Sequence, residues 1–508
     1  MTSLLRAPSG AFRVGVDVAT QFLSIATNFI DRLFLTGLAL RVLGVAGFQY
    51  WSVAMSLSAL LSVLDFGCLM NFSNMVVHAR ERGDLALSVR LYERANTIFL
   101  SIGSVALLGG MAIAFFPALQ NFVGLNPRQF AAQAPLVLGL LVVATGVKLF
   151  LSNAMAVYRA NLRFARGSTV SAIVDLLRIL GTVAGLLIGQ NLIGAAAGHA
   201  LGTCLGLVLM MLDIARTMPS YRYRFRSPRS ADMQGAIRTS LAFAAPYIPI
   251  TIVNQGPVLL LNGHATQGSS MVAIFVLLRT LSNVIRTIIL KVTNVIGMEA
   301  ARLAIRGEER VAYRLLDLIG WQIAVIVAFI AGTLLAGGEI FVRFWTGKSG
   351  LFDPVILAIM LAPLVLAPTY LIATSFLQYL NTPRIWTAGM FAQLPAAALI
   401  YVLLGGQGEL LRISAAIFLA ELIGLAIPVA LAIGGRLRTA TIFHEIARSV
   451  AAAALATAAY LAIRWLIDWF GGGPGALMIA VTILALPYLA IAALPLIPIR
   501  TLLKERRT

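Results

Sequence analysis

Residues 80–117 read RERGDLALSVRLYERANTIFLSIGSVALLGGMAIAFFP. The first fifteen carry four arginines and three acids; the next 23, Ala95 to Pro117, carry no charge at all. As a helix those 23 residues rise about 35 Å, enough to cross a hydrocarbon core of about 30 Å. A basic stretch followed by an uncharged apolar run of this length is the pattern of a membrane span with its inner flank.

Outward from this stretch the same alternation recurs along the whole chain. Fourteen spans are expected, at 14–38, 47–71, 95–117, 134–157, 168–189, 192–215, 239–262, 270–296, 317–342, 354–378, 385–404, 411–434, 449–470 and 475–497. Composition agrees: 59% of the 508 residues are hydrophobic and 12% charged, with mean hydropathy +0.90. A soluble domain is about 45–50% apolar and about 25% charged. Disorder, a secreted disulfide scaffold and an ordinary cytosolic enzyme are excluded. Cys68 and Cys204 both lie in apolar runs and imply no disulfide framework. The first apolar run is too long for a cleavable signal peptide and lacks a small-residue cleavage site.

The net charge of +19 would suggest nucleic acid in a soluble protein. Here it follows the positive-inside rule, and no nucleic-acid partner is expected. With the N-terminus cytoplasmic, 27 Lys and Arg fall on inner segments and five on outer ones. An even number of spans puts both termini on that side. The longest inner connection, 216–238, holds the run Tyr221-Arg-Tyr-Arg-Phe-Arg226. It reads either as a linker lying against the anionic inner leaflet or as a topology anchor and nothing more.

The opening stretch also recurs. Arg82-Gly83-Asp84 followed by Arg90 matches Arg306-Gly307-Glu308 followed by Arg314, an offset of 224 residues. The same offset lays span 14–38 on 239–262, 95–117 on 317–342 and 134–157 on 354–378, and each unit has six spans. The expectation is an all-α integral membrane protein of two six-helix lobes in parallel repeat. Residues 1–215 form the N-lobe, 216–238 a cytoplasmic basic linker, 239–434 the C-lobe, and 435–508 two extra spans with a basic tail. Parallel repeats relate about an axis along the membrane normal and favour a transporter with its substrate site between the halves.

Seven bases lie inside spans: Arg32, Lys148, Arg178, Arg279, Arg286, Lys291 and Arg464. At about 2.5–3.5 kcal/mol each on insertion scales, they would cost on the order of 20 kcal/mol facing lipid. Arg464 has Asp468 at i+4 and reads as a structural pair; Asp175 stands three residues before Arg178 and partly neutralises it. The eighth span is the most informative. Arg279 and Arg286, seven residues apart, share a face with Ser282, Asn283, Thr287, Thr293 and Asn294. Few acids are available to oppose them, so the two guanidinium groups read as unpaired and cavity-lining. Their planar forks suit phosphate or pyrophosphate. Arg32, Lys148, Arg178 and Lys291 complete the expected anion path. Asp31, Asp65 and Glu421 are the candidates for ion coupling; pairing with the bases is the preferred alternative for them.

Gly194, Gly198, Gly202 and Gly206 form a small-xxx-small series that signals close helix packing, with His199 as a packed, hydrogen-bonded residue among them. Pro246, Pro249 and Pro257 interrupt the seventh span and Pro363 and Pro368 the tenth, as hinges or static kinks. Gly347-Lys348-Ser349 resembles the end of a P-loop, but Val342 occupies the required upstream glycine. No nucleotide-binding domain, metal-ligand cluster or catalytic constellation is recognisable, so no cofactor, no metal and no enzymatic activity is expected.

The stretch from Leu43 to Gly83, LGVAGFQYWSVAMSLSALLSVLDFGCLMNFSNMVVHARERG, resembles the N-terminal part of bacterial polysaccharide-export flippases. These are the Wzx-like O-antigen translocases of the multidrug/oligosaccharidyl-lipid/polysaccharide (MOP) exporter superfamily. The shared pattern is LG-x-x-x-[FY], an aromatic pair, a small and apolar helix, then LDFG. The resemblance implies flipping of an undecaprenyl-pyrophosphate-linked oligosaccharide across the bacterial inner membrane, with membrane lipids and polysaccharide polymerases or glycosyltransferases as partners. Two rival functions stand beside it. One is a cation-coupled drug or metabolite antiporter of the same superfamily, which would want acids dominating its lumen. The other is a membrane polysaccharide polymerase or ligase, which would want a large outer loop.

Overall fold

The computed structural model describes residues 27, 29–65, 68–123, 125, 130–228, 235, 240, 247–265, 269–367, 370–380, 384–429 and 440–493. Among these residues every regular element is helical. Ten helices are long and apolar enough to cross a membrane, eleven with one bent pair. The chain is a multi-pass all-α membrane protein. From the second span on, the described part of every expected span coincides with a helix or a broken helix; most of the first span, and parts of the second, seventh, tenth, twelfth and fourteenth, lie outside the described residues. The structure divides into two compact units, Met1–Ser269 and Ser270–Thr508.

The first unit opens with a π-helical turn, Ile30–Leu35, that runs into α1, Thr36–Leu61. Gly44, at φ 70° and ψ 179°, breaks α1 where the first two spans were expected to separate. A 3-10 turn, Ser62–Asp65, precedes α2, Cys68–Glu81. Then come α3, Leu85–Phe115, the short α4, Pro117–Phe122, and α5, Ala134–Phe150, continued after a turn by α6, Ala154–Ala160. Two long helices follow, α7, Phe164–Gly189, and α8, Leu192–Thr217. The last helix of this unit, α9, Tyr247–His264, carries Pro257 and packs on α1.

The second unit holds α10, Met271–Ile305, α11, Glu309–Thr346, and a pair bent by 54°, α12, Pro354–Leu366, and α13, Tyr370–Tyr379. Next are α14, Arg384–Leu403, and α15, Glu409–Glu421, which ends in a π-helical turn, Leu422–Ala426. The final helices, α16, Ala440–Trp469, and α17, Gly473–Ala493, pack on α11. Trp321 Nε1 on α11 donates to Ile491 O at 3.3 Å, and the ring of Phe329 lies 4.9 Å from that of Tyr488. Gly332 lets the backbone at Ala456 come close.

The duplicated motif takes one shape twice. Gly83 has φ 83° and Gly307 φ 84°, a region open to glycine and costly for other residues. In each copy the glycine N–H returns to the carbonyl three residues back, Arg80 or Ala304. The following acid's N–H returns five back, to Ala79 or Leu303. This closes the C-terminus of one helix and starts the next, α3 or α11, from Asp84 or Glu308.

Close packing is tightest between α7 and α8. A Cβ added at Gly198 would stand 2.0 Å from Gly181 O, one at Gly185 2.0 Å from Gly194 O, and one at Gly202 2.3 Å from Leu177 O. The series expected on the sixth span therefore interlocks with Gly181 and Gly185 of the fifth. His199 packs beside it as expected: 8% exposed, Nδ1 3.3 Å from Thr182 Oγ1, its ring edge-on to Trp51. Arg464 and Asp468 form their expected i,i+4 pair at 3.8 Å. At the P-loop-like tripeptide, Gly347 caps the C-terminus of α11 in the left-handed conformation, the opposite of a glycine loop leading into a helix, so the phosphate-cradle reading has no structural basis.

Candidate functional site

Among the described residues, two bidentate acid–arginine pairs lie within the spans, one in each unit, and each acid stands at a π-helical turn. A π turn widens the helix by one residue and turns a side chain out of the regular wheel.

In the second unit, Arg286 projects from α10 towards Glu421, the last α-helical residue before Leu422–Ala426. Arg286 Nη2 donates to Glu421 Oε2 at 2.8 Å, and Nη1 donates to Oε1. Tyr370, at the first turn of α13 just beyond the bend, donates its hydroxyl to Oε1 and accepts from Arg286 Nη1 at 2.7 Å. The side chains are 20% exposed for Arg286 and 9% for Glu421. Around them the polar stripe of α10 is spent on packing. Ser282 Oγ donates to Met360 O at 3.1 Å, Asn294 Oδ1 accepts from Ser375 at 2.8 Å, and Thr287 bonds back to Asn283 O.

This corrects one expectation. Arg286 is not unpaired: an acid does oppose it, contributed from 135 residues further along the chain. Burial of a guanidinium away from water is tolerated because a carboxylate and a hydroxyl fill its donor positions. Arg279, two turns earlier on α10, is half-buried with its guanidinium 5.5 Å over the Phe275 ring. Asn283 is half-buried on the same helix. Lys291 lies on α10, with its side chain outside the described residues.

In the first unit, Arg178 on α7 holds Asp31 of the first π turn, Nη1 to Oδ1 at 3.2 Å and Nη2 to Oδ2 at 2.9 Å. Asp175 approaches Arg178 Nε at 3.7 Å, so the expected i,i+3 neighbour is a secondary partner and Asp31 the principal one. Side-chain exposures are 17% for Arg178 and 29% for Asp31. This pair is wetter than its counterpart and has no tyrosine. Arg32 adjoins Asp31 and is half-buried; Lys148 stands exposed in the last turn of α5; Asp65 ends the 3-10 turn before α2, half-buried. The structure thus joins Arg286 with Glu421 and Arg178 with Asp31, in each case one residue expected to bind substrate and one expected to couple an ion.

Sequence reasoning missed Tyr370. The signal was the proline pair at 363 and 368: a break there lets the next turn aim its side chains into the unit. Among the described residues no group of His, Cys, Asp and Glu could hold a metal ion.

Solved structures share this fold. A lipid II flippase, MurJ, in an inward closed conformation matches with TM-score 0.71 at 12% identity, covering 96% of this chain and 100% of that one. An inward-facing multidrug resistance MATE family transporter of the MOP superfamily matches with TM-score 0.67 at 15% identity, covering 82% and 96%. A MATE structure in a bent conformation matches with TM-score 0.55 at 14% identity, covering 85% and 96%. The chain shares the fold of these transporters. No protein-family profile matches the sequence, and no curated protein matches it by sequence alone.

Proposed function

We propose that the chain is a flippase that moves an undecaprenyl-pyrophosphate-linked oligosaccharide across the bacterial inner membrane by alternating access, with both termini cytoplasmic. Its six-and-six organisation around the linker 216–238, and its supply of substrate to polysaccharide polymerases from glycosyltransferases, belong to the same proposal. The observation that carries it is Arg286. A mid-span guanidinium in a fold shared with a lipid flippase holds a planar, bidentate oxyanion. A phosphate offers the same two acceptor oxygens to the same fork. Glu421 then acts as the resident counter-ion, exchanged for a substrate phosphate and restored on release, and Arg279 on the same helix supplies a second positive charge. Arg178 and Asp31 repeat this chemistry in the first unit, while Arg32, Lys148 and Lys291 add positive charge along the path. The membrane potential favours the outward step: two negative charges crossing about 100 mV gain about 4–5 kcal/mol.

The test is outer-leaflet labelling of lipid-linked glycan in a deletion strain complemented with wild type, Arg279→Ala/Arg286→Ala, or Arg286→Lys. Glycan retained inside with both variants, although each inserts and elutes normally, supports the reading. Lysine keeps the charge and loses the fork. Normal export in the deletion strain itself refutes the substrate. A second reading, a proton- or sodium-coupled antiporter, is favoured by the two acids at π turns and by the likeness to a multidrug transporter. Asp31, Asp65 and Glu421 would then carry the coupling ion, and dye efflux lost in Glu421→Gln with glycan export intact would select it.

A further inference from the structure

The chain leaving α8 is an extended strap across the end of the first unit, and its Tyr-Arg alternation has a direction. Tyr221 is 2% exposed and shares a 2.8 Å hydrogen bond with Ser88 Oγ, which itself donates to Val76 O. Tyr223 donates to Phe150 O at 2.5 Å, and burial pushes its hydroxyl up to about 12, so it remains a donor. The backbone is fastened too: Asn96 Nδ2 donates to Arg224 O at 3.4 Å, and Thr97 bonds both O and N of Arg226 at 2.8 and 3.0 Å. The tyrosines point in, and Arg222 and Arg224 are exposed. Arg226 reaches Glu93 at 3.8 Å; no acid among the described residues pairs with Arg222 or Arg224.

Between the strap and the helices lies a cavity of about 330 Å³. Leu151, Ala154, Met211 and Ile214 give it apolar walls, and Arg222 is the charged residue lining it. We infer that strap and cavity form a binding site for an anionic phospholipid, its headgroup phosphate on Arg222 and Arg224 and the start of an acyl chain in the cavity. A zwitterionic lipid brings a headgroup cation that the two guanidinium groups repel, and a soluble phosphate would make no use of the apolar walls. The strap follows a 26-residue apolar helix, which places it at the depth of the headgroups on the arginine-rich side, where anionic lipid gathers basic segments. The site is independent of what the protein transports.

Native mass spectrometry of the detergent-purified full chain, titrated with phosphatidylglycerol or phosphatidylcholine of the same chains, tests it. Wild type is expected to retain phosphatidylglycerol at about tenfold lower concentration than phosphatidylcholine. Arg222→Gln/Arg224→Gln is expected to lose that preference. Arg343→Gln/Lys348→Gln, which removes two exposed cations at the far end of α11, is expected to keep it. Met211→Trp, which fills the cavity, is expected to weaken retention of both lipids. Equal retention by wild type, a preference that survives Arg222→Gln/Arg224→Gln, or equal loss in the Arg343/Lys348 variant overturns the inference. Hydrogen exchange of residues 219–228 supplies a second readout that does not depend on variant folding. Protection should rise in nanodiscs containing phosphatidylglycerol and stay level with inorganic phosphate; protection by phosphate alone overturns the lipid assignment.

Discussion

The helix pairs α7–α8 and α14–α15 occupy corresponding places in the two halves of the sequence, and they are held by opposite means. The first pair is closed by backbone against backbone. Five glycines interlock so tightly that a single added carbon would stand 2.0–2.5 Å from a carbonyl oxygen. The second pair has one such crossing, Gly389 against Gly424, where the added carbon would be 2.8 Å away. It spends its remaining length on Glu421, a π turn and a bond network to α10 and α13. Small residues let helices associate in lipid by dispersion alone, and such an interface has a single register. An ion pair can be opened by exchange of its partner. On the proposed exchange of Glu421 for a substrate phosphate, the contrast separates a fixed element from a switchable one.

The largest effect that would break this contrast is at the ladder. Gly198→Leu should abolish the folded state, seen as loss of the monodisperse gel-filtration peak, whereas Gly389→Ala should cost about 1–3 kcal/mol. Comparable losses from the two would show that both pairs are fixed. Next, Glu421→Ala should destabilise by about 3–5 kcal/mol in thermal unfolding, since it leaves Arg286 buried without its carboxylate. Asp31→Asn, at the wetter pair, should cost about 1–2 kcal/mol. An Asp31 effect as large as that of Glu421 would make the two pairs equivalent. Tyr370→Phe should remove about 1.5 kcal/mol, one hydrogen bond to a charged group, and leave the Arg286–Glu421 pair in place. The smallest effects sharpen the comparison from the other side. Gly83→Ala and Gly307→Ala should each cost about 1 kcal/mol, and equally, because the two turns share one conformation.

Much of this was legible in the sequence, for reasons visible at particular residues. Span positions follow from hydropathy, a local property. The Arg-Gly-acid turns follow from a glycine flanked by charge, also local, and the glycine series announces close contact by its spacing alone. Arg464 and Asp468 are neighbours on one helix, so their pairing could be read off. The partner of Arg286 could not: Glu421 is brought there by tertiary packing, and α10 carries no acid near Arg286 to suggest a pair. The π turns also escaped, because Ile30–Leu35 and Leu422–Ala426 have ordinary helical compositions. That Asp31 would pair with a base was the preferred alternative, but its particular partner, Arg178, is set by tertiary packing in the same way. The 3-10 turn Ser62–Asp65 that follows α1 was covered by a single expected span. The corresponding stretch of α10 runs unbroken for 35 residues, with Ile288-Ile289-Leu290 where the first copy has a leucine, an aspartate and a phenylalanine.

The π turn after Glu421 has a bearing on how this chain tolerates length change. Such a turn amounts to one inserted residue, so residues 427–429 are rotated by about 100° from an uninterrupted helix. Gly424, Leu425 and Ala426 are buried there, so the turn itself sits inside the packing. Deleting one residue in this turn would restore an ordinary helix while swinging Val429, now buried, away from its packing and leaving Glu421 in place. Here residue count, more than residue identity, decides which way the end of the helix faces, and substitution scans alone would pass over it.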